Sequence, residues 1–209
     1  VTEIKDQSIQ HYLDQLASKA ATPGGGSASA LLGAQSAALT SMVCNLTIGK
    51  PNYGEVDADM QVLLKKSESL RTILTAIIQA DVDVFNKLMA AYGLAKTTDQ
   101  EKTARSQQIQ TVLHEATIVP LACAKACADA IKLSQEAAEK GSLMVISDAG
   151  VAVMSAYAGL KSAALNVYIN VTSLKDRPFA EEKLAELEAI LQGAGIQAEE
   201  IYQLVKNKL

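Results

Sequence analysis

The strongest constraint on this chain is a charge gap. Residues 20–49 contain no Asp, Glu, Lys or Arg. A helix on the surface of a soluble protein needs a charged face, so a segment like this must be enclosed by protein or by lipid. A bilayer span requires about twenty mainly apolar residues. Here Pro23, Gly24, Gly25 and Gly26 are followed by Ser27, Ser29, Gln35, Ser36, Thr40, Ser41, Asn45 and Thr47, which is too polar for lipid. The segment is therefore expected to be a helix at the centre of a bundle. Gly26, Ala30, Ala34 and Ala38 recur every fourth residue, as do Ser29, Gly33, Ala37 and Ser41, so neighbouring backbones can approach it closely.

The rest of the chain agrees with helices. Roughly one residue in six is alanine, the best helix former, whereas aromatics make up 4% and tryptophan is absent. The expected architecture is an all-α, up-and-down bundle of long helices forming one domain over residues 1–209. Helices are predicted over 8–18, burying Ile9, Tyr12, Leu13 and Leu16, then over 27–48 and 55–92, with Gly93 as the stop. Thr98 and Glu101 form a capping-box pair that opens a helix to Lys140, kinked near Pro120. Another runs over 147–173. Asp176 caps the last, Pro178 sits in its first turn, and Leu184, Leu187, Leu191, Ala194, Ala198, Ile201 and Val205 form its stripe, bent at Gly193 and Gly195. The net charge of −4 argues against a nucleic-acid partner. Three cysteines and a start lacking a basic-then-apolar leader fit a reducing cytoplasm, and no membrane association is expected.

Chemistry concentrates in two helices. The stripe Leu70, Ile73, Leu74, Ile77, Ile78, Val84, Phe85, Leu88 and Tyr92 has Asp81 in a core position. A carboxylate there must find partners or have its pKa raised, and such groups cluster at active sites. The structural alternative is a pairing with a hydroxyl or lysine of a neighbouring helix. Asp83 lies about 200° round the same helix and is expected in solvent. The helix over 147–173 reads as apolar on all sides and hence buried, apart from a polar line through Asp148, Ser155, Ser162, Asn166, Asn170 and Ser173. Such a line borders either a ligand groove or an interhelical network, and Asp148 equally suits a plain helix-start acid. Cys123 and Cys127 read as core, Cys44 has no base beside it, and His11 and His114 are isolated, so no metal site is expected. The glycine run lacks a Walker lysine, although a helix N-terminus can hold an anion.

The string Thr22-Pro23-Gly24-Gly25-Gly26-Ser27-Ala28-Ser29-Ala30 resembles the formiminotransferase-cyclodeaminase family, specifically its all-helical cyclodeaminase/cyclohydrolase domain. Three further stretches match in order: residues 41–50 with Tyr53, Asp81-Val82-Asp83-Val84-Phe85, and residues 147–170. Within the family, residues 41–50 and 146–170 are most similar to the free-standing bacterial methenyltetrahydrofolate cyclohydrolases. One departure is Gly141-Ser142, where many relatives have Gly-Asn, which puts an amide contact at that turn in doubt.

The resemblance implies conversion of 5,10-methenyltetrahydrofolate to 10-formyltetrahydrofolate, with no metal and no other cofactor. It assigns catalysis to Asp81, Asp148, Lys50 and Tyr53. Asp81 is the first choice for base or cation stabiliser, Asp148 for a second base or pterin contact, and Lys50 and Tyr53 for proton donation or orientation. Substrate binding falls to Pro23, Gly24, Gly25, Gly26, Ser27, Cys44, Asp83, Asn166 and Asn170, with Lys50 and Arg177 as candidates for the anionic tail. A homodimer is expected. The alternative enzyme is a formiminotetrahydrofolate cyclodeaminase releasing ammonia. The non-enzymatic alternative is a folate-binding or purely structural bundle, against which a carboxylate in an apolar stripe argues.

Overall fold

A computed structural model of the protein describes residues 3–209. Seven α-helices follow one another: α1 (Ile9–Leu16), α2 (Gly25–Asn45), α3 (Asp57–Tyr92), α4 (Asp99–Lys140), α5 (Ile146–Thr172), α6 (Arg177–Leu191) and α7 (Ala194–Lys206). Short 3-10 turns at Ile4–Asp6, Pro51–Val56 and Leu143–Val145 complete the described elements, and no strand occurs among these residues. The long helices α2 to α5 run up and down, and α2 packs against α3, α4 and α5 together. The uncharged segment thus lies at the centre, as its composition requires. Ser27, Ser29, Ala30, Gly33, Ala37, Thr40, Val43 and Cys44 are all buried.

Small residues set the closest helix crossing. A Cβ on Gly159 of α5 would lie 3.0 Å from the Ser29 carbonyl and 3.2 Å from the Gly33 nitrogen. A Cβ on Gly33 would meet Cys127 Sγ at 2.7 Å and a Leu74 methyl at 2.8 Å. The two backbones therefore touch, with the Cys127 thiol of α4 filling the third side. This is packing chemistry, and Cys123 and Cys127 are core residues as expected.

The capping signals hold. Ser8 accepts from the His11 amide at 3.1 Å, and Asp176 from the Phe179 amide at 3.1 Å. Thr98 and Glu101 form a reciprocal capping box. Pro120 sits inside α4 without ending it, and α4 runs unbroken to Lys140.

Four expectations need correction. α2 opens at Gly25, two residues before Ser27, and stops at Asn45, with Thr47 turning its hydroxyl back onto the Val43 carbonyl at 2.7 Å. In α1 only Tyr12 is buried; Ile9 is 80% exposed and Leu13 49%, because a helix this short lies against the bundle on one edge only. The last helix breaks rather than bends, since Gly193 adopts φ 76°, a left-handed conformation that ends α6 and starts α7. Its stripe nevertheless continues across the break through Leu187, Ala194, Ala198, Ile201 and Val205. Finally, α5 is not enclosed all round. Its inner face packs on α2, α4, α6 and α7, whereas Leu165 (68% exposed), Ile169, Val151 and Met154 stand outward. By length and composition alone, residues 143–172 could cross a bilayer, but the buried inner face makes α5 a core helix of the bundle.

Candidate active site

The sequence candidates divide between two ends of the bundle. The first end is the N-terminus of α2. Gly24 is its N-cap, Ser27 Oγ donates to the Gly24 carbonyl at 2.9 Å, and Ser29 Oγ donates to the Gly25 carbonyl at 2.7 Å. Of these glycines only Gly26 is forbidden a Cβ, because a side chain from α3 occupies the space. A Cβ on Gly26 would lie 1.9 Å from Asp81 Oδ1, 2.4 Å from Cγ and 2.7 Å from Oδ2. One on Gly25 would sit 3.9 Å from both amide atoms of Asn166. Asp81, the glycine turn and Asn166 thus converge from α3, α2 and α5.

The half-buried Asp81 is held at the positive end of α2. Burial pushes its carboxyl up, and the Ser27 amide pulls part of the way back. Among the described residues no cation pairs with it, so of the structural alternatives, a hydroxyl or a lysine of a neighbouring helix, the lysine is not found, and its named partner is the Ser27 backbone amide. Behind it, the buried free thiol of Cys123 is hydrogen-bonded with that of Cys127. That bond, burial and the nearby Asp81 charge all raise its pKa. Sequence reasoning did not connect Cys123 with Asp81, because they lie on different helices.

Asp83 is exposed, as the helical spacing requires, and accepts from Gln79 Nε2 at 2.8 Å. Together with the buried Pro23 it lines a crevice of about 420 Å³ with Gln79 and Asn86, on a different side of α3 from the Asp81 carboxylate. Asn166 Nδ2 donates to the Ser162 carbonyl at 3.0 Å, and Asn170 Nδ2 to the Ala116 carbonyl at 2.6 Å. Asn170 therefore ties α5 to α4. Arg177 bonds the Val171 carbonyl at 3.4 Å near this end.

The second end gathers Lys50, Tyr53 and Asp148. Lys50 Nζ donates to Ser142 Oγ at 2.9 Å and approaches Met144 Sδ at 3.6 Å. The Leu143 amide donates to the Tyr53 hydroxyl at 2.9 Å. Asp148 lies in the first turn of α5, where the helix dipole favours a carboxylate. Beside it runs a groove of about 500 Å³ between α5 and α7, lined by Ser147, Met154, Ser155, Tyr202 and Lys206. Cys44 is fully buried, and burial pushes its thiol up to about 12, so it is a wall of the core and does not reach the surface. Ser142 and Thr47 were missed as candidates; the signals available were the place of Thr47 inside the matched string 41–50 and the departure at Gly141-Ser142.

The two ends are far apart within one chain. Asp148 and Asn166 are separated by eighteen helical residues of α5, which at 1.5 Å per residue is about 27 Å.

Comparison with known proteins agrees with this architecture. The sequence model described as formiminotransferase-cyclodeaminase matches residues 8–189. A methenyltetrahydrofolate cyclohydrolase of Methylorubrum extorquens is 58% identical over 204 residues, covering 98% of both chains. A formimidoyltransferase-cyclodeaminase of Rattus norvegicus is 32% identical over 92% of this chain, which spans only 36% of that protein. The crystal structure of a formiminotetrahydrofolate cyclodeaminase from Thermotoga maritima superposes with a TM-score of 0.83 at 30% identity, covering 99% of this chain and 98% of that one. With the family match spanning most of its length and the same helical frame in a solved relative, the chain belongs to the formiminotransferase-cyclodeaminase family.

Proposed function

We propose that the protein hydrolyses 5,10-methenyltetrahydrofolate to 10-formyltetrahydrofolate. The full-length likeness to a cyclohydrolase points to the substrate. The observation that carries the chemistry is Asp81, a half-buried carboxylate with no cation beside it among the described residues. The methenyl carbon belongs to a cationic amidinium, which supplies the missing positive charge. A carboxylate raised by burial is also a stronger base than one in water. Water adds to the methenyl carbon as Asp81 takes its proton, giving a tetrahedral carbinolamine. That intermediate collapses as its hydroxyl gives up a proton, the C=O bond forms and the carbon–N5 bond breaks, leaving the formyl group on N10. N5 receives one proton, and the other passes to solvent, so one proton is released overall. Lys50 and Tyr53 are the groups of the second end suited to deliver the proton to N5. No electrons change hands, so the reaction calls for no redox cofactor, and the carboxylate supplies the activation for which other hydrolases use a metal.

The protein acts as a homodimer. The outward face of α5 carries Val151, Met154, Leu165 and Ile169, and an apolar stripe of this kind is suited to a second copy. A two-fold axis near Ala158 would set Val151 of each chain against Leu165 of the other. It would also carry the Asp148 end of each chain to the Asn166 end of its neighbour, closing the gap between the two halves of the site. A reducing cytoplasm suits a chain with three free thiols, and its net charge of −4 argues against a nucleic-acid partner.

Loss of methenyltetrahydrofolate absorbance, with the buffer rate subtracted, tests the activity for wild type and Asp81→Asn. Ammonia release from the formimino compound tests the cyclodeaminase reading, which the Thermotoga relative keeps in view. Acceleration of the first reaction that collapses in folded Asp81→Asn is expected; ammonia release without it would overturn the proposal. Mixing Asp81→Asn with Lys50→Met tests the shared site. Recovery of roughly a quarter of wild-type activity is expected, since half of the dimers are mixed and each holds one intact site. A mixture as inactive as its components would show that each chain is self-contained.

A further inference from the structure

Lys50 and Tyr53 follow α2 on a short segment with little packing of its own, yet one turn fastens both side chains. That turn, residues 141–143, lies between α4 and α5 and is itself anchored. The Ser142 amide donates to Thr47 Oγ1 at 2.8 Å, and Thr47 Oγ1 donates to the Val43 carbonyl at 2.7 Å. Ser142 is only 1% exposed. Its hydroxyl accepts from Lys50 Nζ at 2.9 Å. The next amide, of Leu143, donates to the Tyr53 phenol oxygen at 2.9 Å. Because that oxygen accepts, the phenolic proton is free to point away from the turn. Among the described residues no carboxylate is ion-paired with Lys50, so its charge stays available beside the phenol.

We infer that Ser142 is a positioning residue whose hydroxyl and turn hold the Lys50 ammonium and the Tyr53 phenol as one proton-delivering unit. The inference rests on the proposed reading that these two side chains serve hydrolysis of the methenyl compound. The Leu143 amide and then the Ser142 hydroxyl hold the Tyr53 phenol below its ordinary value, with Lys50 and Lys208 acting in the same direction and burial against them. Removing the Ser142 hydroxyl leaves the backbone anchor to Thr47 intact and removes one of the groups that favour the phenolate. The phenol should then titrate higher.

The test compares Ser142→Ala and Ser142→Thr, each with and without Lys50→Met. The first readout is the phenolate absorbance of Tyr53, obtained as the difference from the matching Tyr53→Phe variant. Ser142→Ala should move this titration upward and Ser142→Thr should restore it. The second readout is kcat, expected to fall roughly tenfold in Ser142→Ala with little change in KM, the scale for losing a hydrogen bond to a charged group. On the Lys50→Met background the same change should cost less than about twofold, because it acts through Lys50. An unmoved phenol titration, an equal cost on both backgrounds, or equal losses in Ser142→Ala and Ser142→Thr would each overturn the inference. The titration does not depend on turnover, so a wild-type protein inactive on the methenyl compound would refute the function and leave the role of Ser142 decided separately.

Discussion

Gly26→Ala is the sharpest perturbation of the site, because it adds one methyl group at a known distance from one carboxylate. The new Cβ would lie 1.9 Å from Asp81 Oδ1, whereas ordinary carbon–oxygen contact begins at about 3.3 Å. The carboxylate must therefore retreat by about 1.4 Å. Misplacement of a reacting group by about 1 Å is enough to cost a factor on the order of 10², or about 2.7 kcal/mol of transition-state stabilisation. Stability should change far less. Gly26 is helical with no positive φ, so alanine gains up to about 1 kcal/mol in helix propensity, offsetting the strain of rotating one side chain. The assay is methenyltetrahydrofolate hydrolysis beside a far-ultraviolet thermal melt. The expected result is kcat lower by about 10²-fold with Tm within a few degrees, and no further loss when Gly26→Ala is added to Asp81→Asn. A Gly26→Ala protein with wild-type kcat would refute the assignment of Asp81 as the base.

Asp81→Asn separates catalysis from folding through pH. Burial raises this carboxyl, so the native state binds its proton more tightly than the unfolded chain does. The charged form thus subtracts stability above the native titration point, and that cost disappears as pH falls through it. The asparagine variant should melt at or above wild type at neutral pH, with the advantage fading in acid, while kcat falls by about 10²-fold or more. In wild type, the acid limb of kcat/KM should lie above the usual carboxylate range and vanish in Asp81→Asn; a limb that persists unchanged would assign it to another group. Gly193→Ala addresses the break between α6 and α7. With φ at 76° and nothing within 4 Å of the added Cβ, the cost is backbone strain alone, about 1–2 kcal/mol. Melting should show a Tm lower by about 2–8 °C with kcat unchanged, and an unaltered Tm would mean that the helix break does not depend on glycine.

What could be read from the chain followed from local rules. The charge gap of residues 20–49 placed α2 at the centre, and the hydroxyl and carboxylate caps of Ser8, Thr98 and Asp176 marked helix starts within a residue. The helical spacing put Asp81 inward and Asp83 outward on α3. Readings that depend on how helices meet were not legible. Gly26 looked like part of an anion-binding loop, but its missing Cβ makes room for the Asp81 carboxylate across an interhelical contact. Gly193 looked like a flexible point, and only its left-handed φ shows a full break. The apolar circumference of α5 suggested complete burial, because hydropathy does not say which apolar side chains the neighbouring helices cover. Ser142 appeared only as a departure from its relatives until the contacts with Lys50 and Thr47 gave its hydroxyl and amide separate partners.

The separation of the two ends has a chemical logic under the proposed reaction. Hydrolysis of a cationic amidinium needs a carboxylate that stays negative and unpaired until substrate arrives. It also needs a donor that stays protonated until the carbon–N5 bond breaks. Asp81 and Lys50 within contact distance would form an ion pair, satisfying each other and presenting neither charge to the substrate. About 27 Å along α5 forbids that pairing inside one chain. The Ser27 amide holds the carboxylate, and the Ser142 turn holds the ammonium with a neutral hydroxyl, so neither charge is neutralised where it waits. Antiparallel pairing of α5 with a second copy would then bring base and donor to opposite faces of one substrate, with the substrate itself between them.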